Sequence, residues 1–372
     1  MFSAAGRGRI SRRTAIKLGL CVAAVVGGGT LWATGTIGVA SASPAGLSTG
    51  SGAGLGTTVG QEAAPLSMAL TDVTGTPSAD SSWGLERDGN AWTLVELATG
   101  GARNVGTIQG RDGTLVVSGP NAWMLQTSVA GVGLARYATS DGHLEGITQL
   151  TNLEPGVGPV DAATGSDIVV ADVATSPASA PVADVALVGA ATSVISGTVQ
   201  VPGVPSGLVG ASTDAYLAVD RMTPEGQECY LATIQTSPSK VVSDVRVPFG
   251  FQPEAVAGSL VWGVESTTGQ VLGVDPATGS VVDRLVLSAK GQFVAATSIS
   301  ASTTSIWAAA SPSNDSAAYL YRIETNNASV LGRVDLGSAA VNPGSHGVAI
   351  DQATAWIAGE TRTYVVARPQ GS

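Results

Sequence analysis

Residues 253–287 read PEAVAGSLVWGVESTTGQVLGVDPATGSVVDRLVL, and this stretch decides the fold. Short runs of branched and apolar residues alternate with Gly, Pro, Ser and Thr, which is the composition of strands joined by tight turns. The turn Pro276–Gly279 combines a proline, which fixes one backbone dihedral, with a glycine that accepts a positive φ. We predict four strands here: Glu254–Ala257, Leu260–Glu265, Gln270–Asp275 and Ser280–Leu287.

The second strand of this unit recurs along the chain, each time as an aromatic residue followed by short apolar ones. The recurrences with steps of 93, 46, 45 and 49 residues are Trp123, Tyr216, Trp262, Trp307 and Trp356. The first step is about two periods, and Ile168–Ala171 stands at the skipped place without an aromatic. Trp83 begins the earliest copy. A repeat of about 45 residues, built from strands rather than helices, predicts a β-propeller.

The last copy lacks its outer strand, because the pattern stops after Thr363–Ala367. In a closed ring this strand comes from the other terminus, which removes an exposed sheet edge. Residues 66–73 fit either that donated strand or the inner strand of the first blade, and the sequence leaves both open. We therefore predict an all-β chain with a single propeller of about seven four-stranded blades, within a range of six to eight, over residues 65–369.

The first 42 residues have the order of an export signal. Residues 7–17 are basic, residues 18–40 carry no charge, and small residues surround a cleavage position at Ala40 and Ala42. The basic part resembles the twin-arginine export signal, with Arg12, Arg13 and Lys17 at the matching places.

The alternative is an uncleaved membrane-anchor helix over residues 18–40, since this uncharged stretch is long enough to span a bilayer. Residues 43–64 are rich in Gly, Ser, Thr and Ala and predict a flexible linker. Both alternatives predict an exported protein that is extracellular or associated with the cell envelope.

The charge distribution excludes some partners. The formal net charge is −10, and without residues 1–42 the chain has 13 basic and 28 acidic residues, a formal charge of −15. Residues 43–372 are therefore acidic enough to repel the phosphate backbones of nucleic acids, and we expect no nucleic-acid partner. Of the two cysteines, Cys21 lies in the N-terminal segment and Cys229 is alone in the body, which predicts no disulfide within the propeller.

Two stretches resemble known propeller repeats. Residues 271–282 resemble the YVTN and quinoprotein-like repeats, and residues 343–351 with 355–358 are similar to the NHL and streptogramin-lyase repeats. The lyase resemblance implies a catalytic base at His346 and a Mg²⁺-associated carboxylate at Glu360. The lyases' second functional histidine has no counterpart in this chain, and Gly344 stands where those enzymes have a glutamate.

Acidic residues end the aromatic strand in most copies of the repeat. These residues are Glu86, Asp172, Asp220, Glu265 and Glu360. Equivalent strand ends meet on one face of a ring, so we expect a carboxylate rim that could hold Ca²⁺ or attract a cationic ligand. The alternative is that these carboxylates only solvate and cap turns.

Two functions are consistent with these observations. The first is a non-catalytic, exported propeller that acts as a binding or scaffold module for a protein or glycan at the cell envelope, with no cofactor. The second is a metal-dependent enzyme of the lactonase or lyase kind, using Ca²⁺ or Mg²⁺ in the central channel. In either case we expect membrane contact only through the N-terminal segment, and the sequence leaves the oligomeric state open.

Overall fold

A computed structural model of the chain describes residues 64–367 except for a set of short gaps. The gaps are residues 66–69, 76–80, 89–90, 99–100, 110–113, 129–130, 152, 154–159, 175–179, 290, 312–316, 338–346, 353 and 360–361. Within the described ranges all regular elements are strands, which form seven four-stranded antiparallel sheets and one two-stranded hairpin. The predicted all-β propeller of seven blades is confirmed.

The first strand, β1 (Ala64–Pro65), belongs to the last blade. Blade 1 contains β2 (Leu70–Gly75), β3 (Ser81–Asp88), β4 (Ala91–Ala98) and β5 (Gly101–Gln109). Blade 2 contains β6 (Leu115–Ser118), β7 (Asn121–Ser128), β8 (Gly131–Ala138) and β9 (Leu144–Gln149). Blade 3 contains β10 (Val160–Ala163), β11 (Asp167–Ala174), β12 (Val182–Gly189) and β13 (Ile195–Pro202).

Blades 4 and 5 are fully described. Blade 4 contains β14 (Val204–Gly210), β15 (Asp214–Thr223), β16 (Gly226–Gln235) and β17 (Lys240–Val247). Blade 5 contains β18 (Phe251–Ala257), β19 (Leu260–Glu265), β20 (Gln270–Val274) and β21 (Val281–Leu285). It is followed by the small hairpin of β22 (Ser288–Ala289) and β23 (Gln292–Phe293).

The ring ends with two further blades. Blade 6 contains β24 (Ala295–Ala301), β25 (Ser305–Ser311), β26 (Ala318–Glu324) and β27 (Val330–Gly337). Blade 7 contains β28 (Val348–Ile350), β29 (Thr354–Ala358) and β30 (Thr363–Ala367), with β1 as its outer strand. Among the described residues no helix is long and apolar enough to cross a membrane, and the predicted anchor at residues 18–40 lies outside them.

The N-terminal side of the chain completes the last blade. In β1, Ala64 pairs with Val365 and Pro65 with Tyr364. The donated strand thus lies just before the predicted segment 66–73, whose end, from Leu70 onward, forms the inner strand of blade 1. The two roles that the sequence left open are both filled, by adjacent stretches of chain.

The aromatic residues of the repeat fill the spaces between neighbouring blades. Trp307 of blade 6 lies in one buried cluster with Val348 and Ile357 of blade 7, and Trp356 packs with Leu70 of blade 1. Burying a side chain of this size stabilises the fold by about 2–3 kcal/mol. Packing between blades therefore explains why an aromatic recurs in six of the seven copies.

Asp351 supports the contact between the last blade and the first. This buried carboxylate accepts hydrogen bonds from the Trp356 indole Nε1 and from the Thr354 backbone nitrogen, each at 2.8 Å. The Ser82 hydroxyl of blade 1 lies 3.5 Å from the same carboxylate. Since a buried donor without an acceptor costs about 1–3 kcal/mol, Asp351 stabilises the seam at which the ring closes.

Candidate functional site

The inner strands surround a central cavity of about 280 Å³. Each of the seven blades contributes to its wall through its first strand, and the lining is mostly small and apolar. Lining residues that are partly exposed include Val117, Ala163, Val209, Val256 and Ser300. A wall of this composition offers few groups for acid–base chemistry.

The two carboxylates in the cavity wall bind the neighbouring blade. Asp161 of blade 3 accepts a hydrogen bond from the Thr114 hydroxyl beside blade 2. Glu254 of blade 5 accepts one of 2.6 Å from the Ile299 backbone nitrogen of blade 6. A third inner-strand carboxylate, Asp72 of blade 1, accepts a hydrogen bond of 2.9 Å from the Leu115 backbone nitrogen of blade 2. These buried inner-strand acids therefore hold adjacent blades together.

Four of the five carboxylates of the predicted rim are described, and these four lie toward one face of the ring. Glu86, Asp220 and Glu265 occupy the same register position, each opposite the first residue of the inner strand of its own blade. Asp172 follows Ala171, which pairs with the first residue of β10. Among the described residues no group of three or more His, Cys, Asp or Glu side chains is close enough to hold a metal ion.

The described rim carboxylates have different surroundings. Glu265 accepts a hydrogen bond from Thr268 and lies 3.6 Å from the Arg284 guanidinium of the outer strand. Asp172 is buried and accepts a bond from the Val173 nitrogen. Glu86 is half-buried. Glu265 ends its strand and bonds to its own turn, whereas Asp172 lies within β11, which continues to Ala174.

Asp220 lies opposite the thiol of Cys229 on the neighbouring strand. Its cross-strand partner is Cys229, whose Sγ lies 3.8 Å from the Phe251 carbonyl oxygen of the next blade. Burial raises the pKa of Asp220 above its ordinary value. Burial, with a smaller effect of the Asp220 charge, raises the pKa of the Cys229 thiol to about 12. The thiol is therefore protonated at neutral pH, which makes it a poor nucleophile and metal ligand.

The other predicted site residues lie outside the described residues. These are His346, Glu360, Arg12, Arg13, Lys17, Ala40 and Ala42. The hypothesis of a channel base with a Mg²⁺ or Ca²⁺ ligand thus remains a prediction from sequence.

The face that carries the rim also carries the blade-to-blade connections, and we call it the connection face. Around blades 4 and 5 its described segments are the link 248–250, residues 286–289 and 291–294 of the next link, and the hairpins 223–226 and 265–270. These segments are hydrogen-bonded to one another: Ser266 N donates to Gly250 O at 2.9 Å, and Ala296 N donates to Gly269 O at 2.8 Å. The hairpin of blade 5 is therefore hydrogen-bonded on one side to the link that precedes blade 5 and on the other side to the start of β24 in blade 6.

Four large apolar side chains are exposed on the part of the connection face around blades 4 and 5, which we call the sector. The exposed fractions are 79% for Met222, 45% for Phe249, 47% for Val286 and 46% for Phe293. We call these four residues the apolar patch. The other large apolar side chains with high exposure lie on or beside outer strands, at the edge of the ring. A sequence search for reactive groups misses the apolar patch, because its members lie in links and hairpin ends that do not repeat.

Charged residues of both signs lie near the apolar patch. The arginines there are paired within their own blades: Arg221 with Asp244 at 2.7 Å and Arg246 with Glu228 at 3.0 Å. Glu225, at the tip of the hairpin that carries Met222, is exposed. Over residues 204–294 the sequence has nine acidic and five basic residues, and the fifth basic residue is Lys290, between Val286 and Phe293.

The aromatic rings are placed differently from a sugar-binding platform. All six tryptophans among the described residues are at most 8% exposed. Three of them are covered by arginines of the neighbouring strand: Arg87 lies over Trp92 at 5.4 Å, Arg136 over Trp123 at 5.8 Å and Arg322 over Trp307 at 5.9 Å. These rings are consequently unavailable for stacking on a glycan.

Comparisons with known proteins support the fold. No family model matches the sequence, and no curated protein matches it. Among solved structures, the crystal structure of Sqt1 from Saccharomyces cerevisiae is similar, with 11% identity and a TM-score of 0.50. The match covers 84% of this chain and 100% of the Sqt1 chain. At this identity the similarity shows a shared fold alone, because propellers of one architecture serve many functions.

Proposed function

We propose that this chain is an exported, non-catalytic binding module that holds a protein partner at the cell envelope through its connection face. The apolar patch is the observation that carries the proposal. Exposed large apolar side chains gathered in one sector mark protein contact sites more often than isolated ones do. The rigid ring supplies a fixed platform, so little ordering is required on binding.

The surroundings of the channel carboxylates and of the tryptophan rings support a binding function rather than a catalytic one. The channel wall is apolar, and its described carboxylates accept hydrogen bonds from neighbouring blades. A protein partner is favoured over a glycan because the described tryptophan rings are buried.

Site-specific photo-cross-linking in the native cells tests the binding proposal. A photoreactive amino acid replaces Phe249 on the connection face or, as a matched control, Ala277 in a turn on the opposite face. We expect one discrete protein adduct from position 249 and none from position 277. Adducts from neither position, or from position 277 alone, would contradict the proposal.

The export proposal rests on the twin-arginine resemblance and has its own test. Replacing Arg12 and Arg13 together by lysine keeps the charge but removes the paired guanidinium groups. We expect the variant to stay in the cytoplasm, while the wild-type protein is found outside it with Ser43 as its first residue. Export of the double-lysine variant at the wild-type level would show that the pathway is a different one.

A further inference from the structure

We propose that Asp220 makes the seam between blades 4 and 5 sensitive to pH, because its protonated carboxyl fits the surroundings in this seam better than its ionised form does. Mild acid therefore tightens the seam where it meets the connection face, and neutral or alkaline pH loosens it. This inference goes beyond the proposed function and does not depend on which molecule the connection face binds.

Asp220 lies where blade 4 meets the connection face. It pairs with Val204, the first residue of β14, and with Cys229 on the other neighbouring strand. The Cys229 side chain is buried in one cluster with Phe251 and Val261 of blade 5, and its Sγ lies 3.8 Å from the Phe251 carbonyl oxygen. Since cross-strand partners point to the same side of a sheet, the Asp220 carboxyl also faces blade 5.

The seam supplies too few hydrogen-bond donors for an ionised carboxylate. The Oδ1 atom of Asp220 is buried and receives no hydrogen bond from the described residues. The Ser206 hydroxyl, in the bulge of β14, is likewise buried without a partner among them. Burying a charged oxygen without a donor costs free energy, whereas a neutral carboxyl can itself donate a hydrogen bond.

The charged side chains next to Asp220 in blade 4 point away from it. Arg221 and Glu228 form the next cross-strand pair, and successive residues of a strand point to opposite sides of the sheet. On that opposite side Arg221 pairs with Asp244 at 2.7 Å, and Glu228 pairs with Arg246 at 3.0 Å. Both arginines are therefore bonded to other carboxylates and leave the charge of Asp220 unbalanced.

The charged groups of blade 5 near this seam are bonded as well. Glu265 lies 3.6 Å from the Arg284 guanidinium, and Glu254 accepts a hydrogen bond from a backbone nitrogen of blade 6. The link 248–250 and the strand β14 contain no charged residue. Asp220 is thus a half-buried carboxyl with no cationic partner among the described residues of the two blades.

The direction of the pKa shift gives the sign of the effect. Burial raises the pKa of Asp220 above its ordinary value of 3.8, and the nearby Cys229 thiol and Gln227 amide offset only part of this rise. Glu225, exposed at the tip of the hairpin, has the same sign of charge and does not oppose protonation. The contribution of Asp220 to stability is therefore full below pH 3.8 and is lost as the pH rises through the raised pKa.

Melting temperatures of the full chain and of the Asp220→Asn variant, measured from pH 4 to pH 8, test the proposal. Asparagine has the shape of the neutral carboxyl and cannot ionise. We expect the variant to melt above the wild type at pH 8, and the difference to shrink steadily as the pH falls. The matched control is Glu265→Gln, which removes a paired carboxylate at the same register of blade 5 and should give no gain at pH 8.

Hydrogen exchange then locates the effect. After correction for intrinsic rates, we expect the amides of residues 221–229 in the wild type to be at least about threefold better protected at pH 5 than at pH 8. Those of residues 236–239, on the opposite face of blade 4, should not change. Asp220→Asn should show the higher protection at both pH values, and Asp220→Ser, which also cannot ionise, should show no pH dependence even if asparagine packs poorly.

Two results would overturn the proposal. One is a difference in melting temperature between the wild type and Asp220→Asn that is absent or does not vary with pH. The other is protection of residues 221–229 that varies with pH as much in the Asp220 variants as in the wild type.

Discussion

At the scale of single residues, the acidic side chains of this ring serve two purposes. The sequence predicted acids at the ends of the second strands; Glu265 does end its strand, but Glu86, Asp172 and Asp220 lie two or three residues before the ends of theirs. The acids of the inner strands were missed, since an acid in a short strand is ordinarily expected to face solvent. A signal was present: Asp72, Asp161 and Glu254 each directly precede a buried apolar residue in the inner strand.

Glu254 should be required for stability. Glu254→Ala leaves the buried Ile299 nitrogen without its carboxylate acceptor, and we expect a loss of about 2 kcal/mol in the free energy of unfolding. Glu254→Gln keeps an oxygen acceptor and should cost less. Urea unfolding measures both, with the exposed Glu225→Ala as control. Equal stability of the Glu254→Ala and Glu225→Ala variants would show that the bond between blades contributes nothing.

Cys229 should be inert in the folded protein. Burial raises the pKa of its thiol to about 12, so the neutral form persists at pH 8. We expect a disulfide reagent to modify it at pH 8 only after denaturation. In the unfolded chain the thiol ionises near its ordinary pKa of 9.0, and the folded state binds the extra proton between that pH and about 12. Its contribution to stability therefore falls as the pH rises through this range.

Rapid labelling of Cys229 in the native protein at pH 8 would contradict this account of the thiol. The control is the same reaction with the Cys229→Ala variant, which reports any modification of the other cysteine.

At the scale of elements, tight turns position one blade against the next. Asp275 opens the turn of blade 5 and accepts hydrogen bonds from the Ala277 nitrogen at 2.9 Å and the Thr278 hydroxyl at 2.7 Å. Gly279 closes the turn with a φ of +74°. The sequence predicted this turn from its proline and glycine. It did not predict that the turn lies against the outer strand of blade 4, because that contact depends on how neighbouring blades stack.

Gly279 should tolerate substitution less well than a glycine in an open turn. A Cβ at Gly279 would collide with the backbone oxygen of Arg246, whereas a Cβ at Gly258, whose φ is +62°, meets nothing within 4 Å. Both alanine variants introduce left-handed strain of about 1 kcal/mol, and Gly279→Ala adds the collision. We expect its melting temperature to fall well below that of Gly258→Ala. Similar melting temperatures would mean that the two blades are not packed this closely.

At the scale of the whole molecule, the even number of strands in each blade places the described blade-to-blade connections on one face, and closure of the ring gives the last blade its fourth strand. The blade number could be predicted because each blade is a local unit with its own strands and turns, and six of the seven carry the repeated aromatic. The donated strand was harder to locate, since β1 has only two residues and no repeat pattern. The apolar patch was not predicted at all, because its side chains are exposed and do not repeat from blade to blade.

The account therefore depends most on β1 completing blade 7, and a pair of engineered cysteines tests this directly. Ala64 and Val365 are cross-strand partners, and such Cα atoms lie about 4.5–5.5 Å apart, within the range that a disulfide spans. The test variant combines Ala64→Cys and Val365→Cys with Cys21→Ala and Cys229→Ala. The control variant places the second cysteine at Val282, on the outer strand of blade 5.

On mild oxidation we predict that the Ala64/Val365 variant loses both free thiols as a monomer and melts at a higher temperature than its reduced form. The control should keep its thiols free. Failure of the first pair to cross-link, or equal cross-linking of the two pairs, would contradict a ring closed by the N-terminal strand.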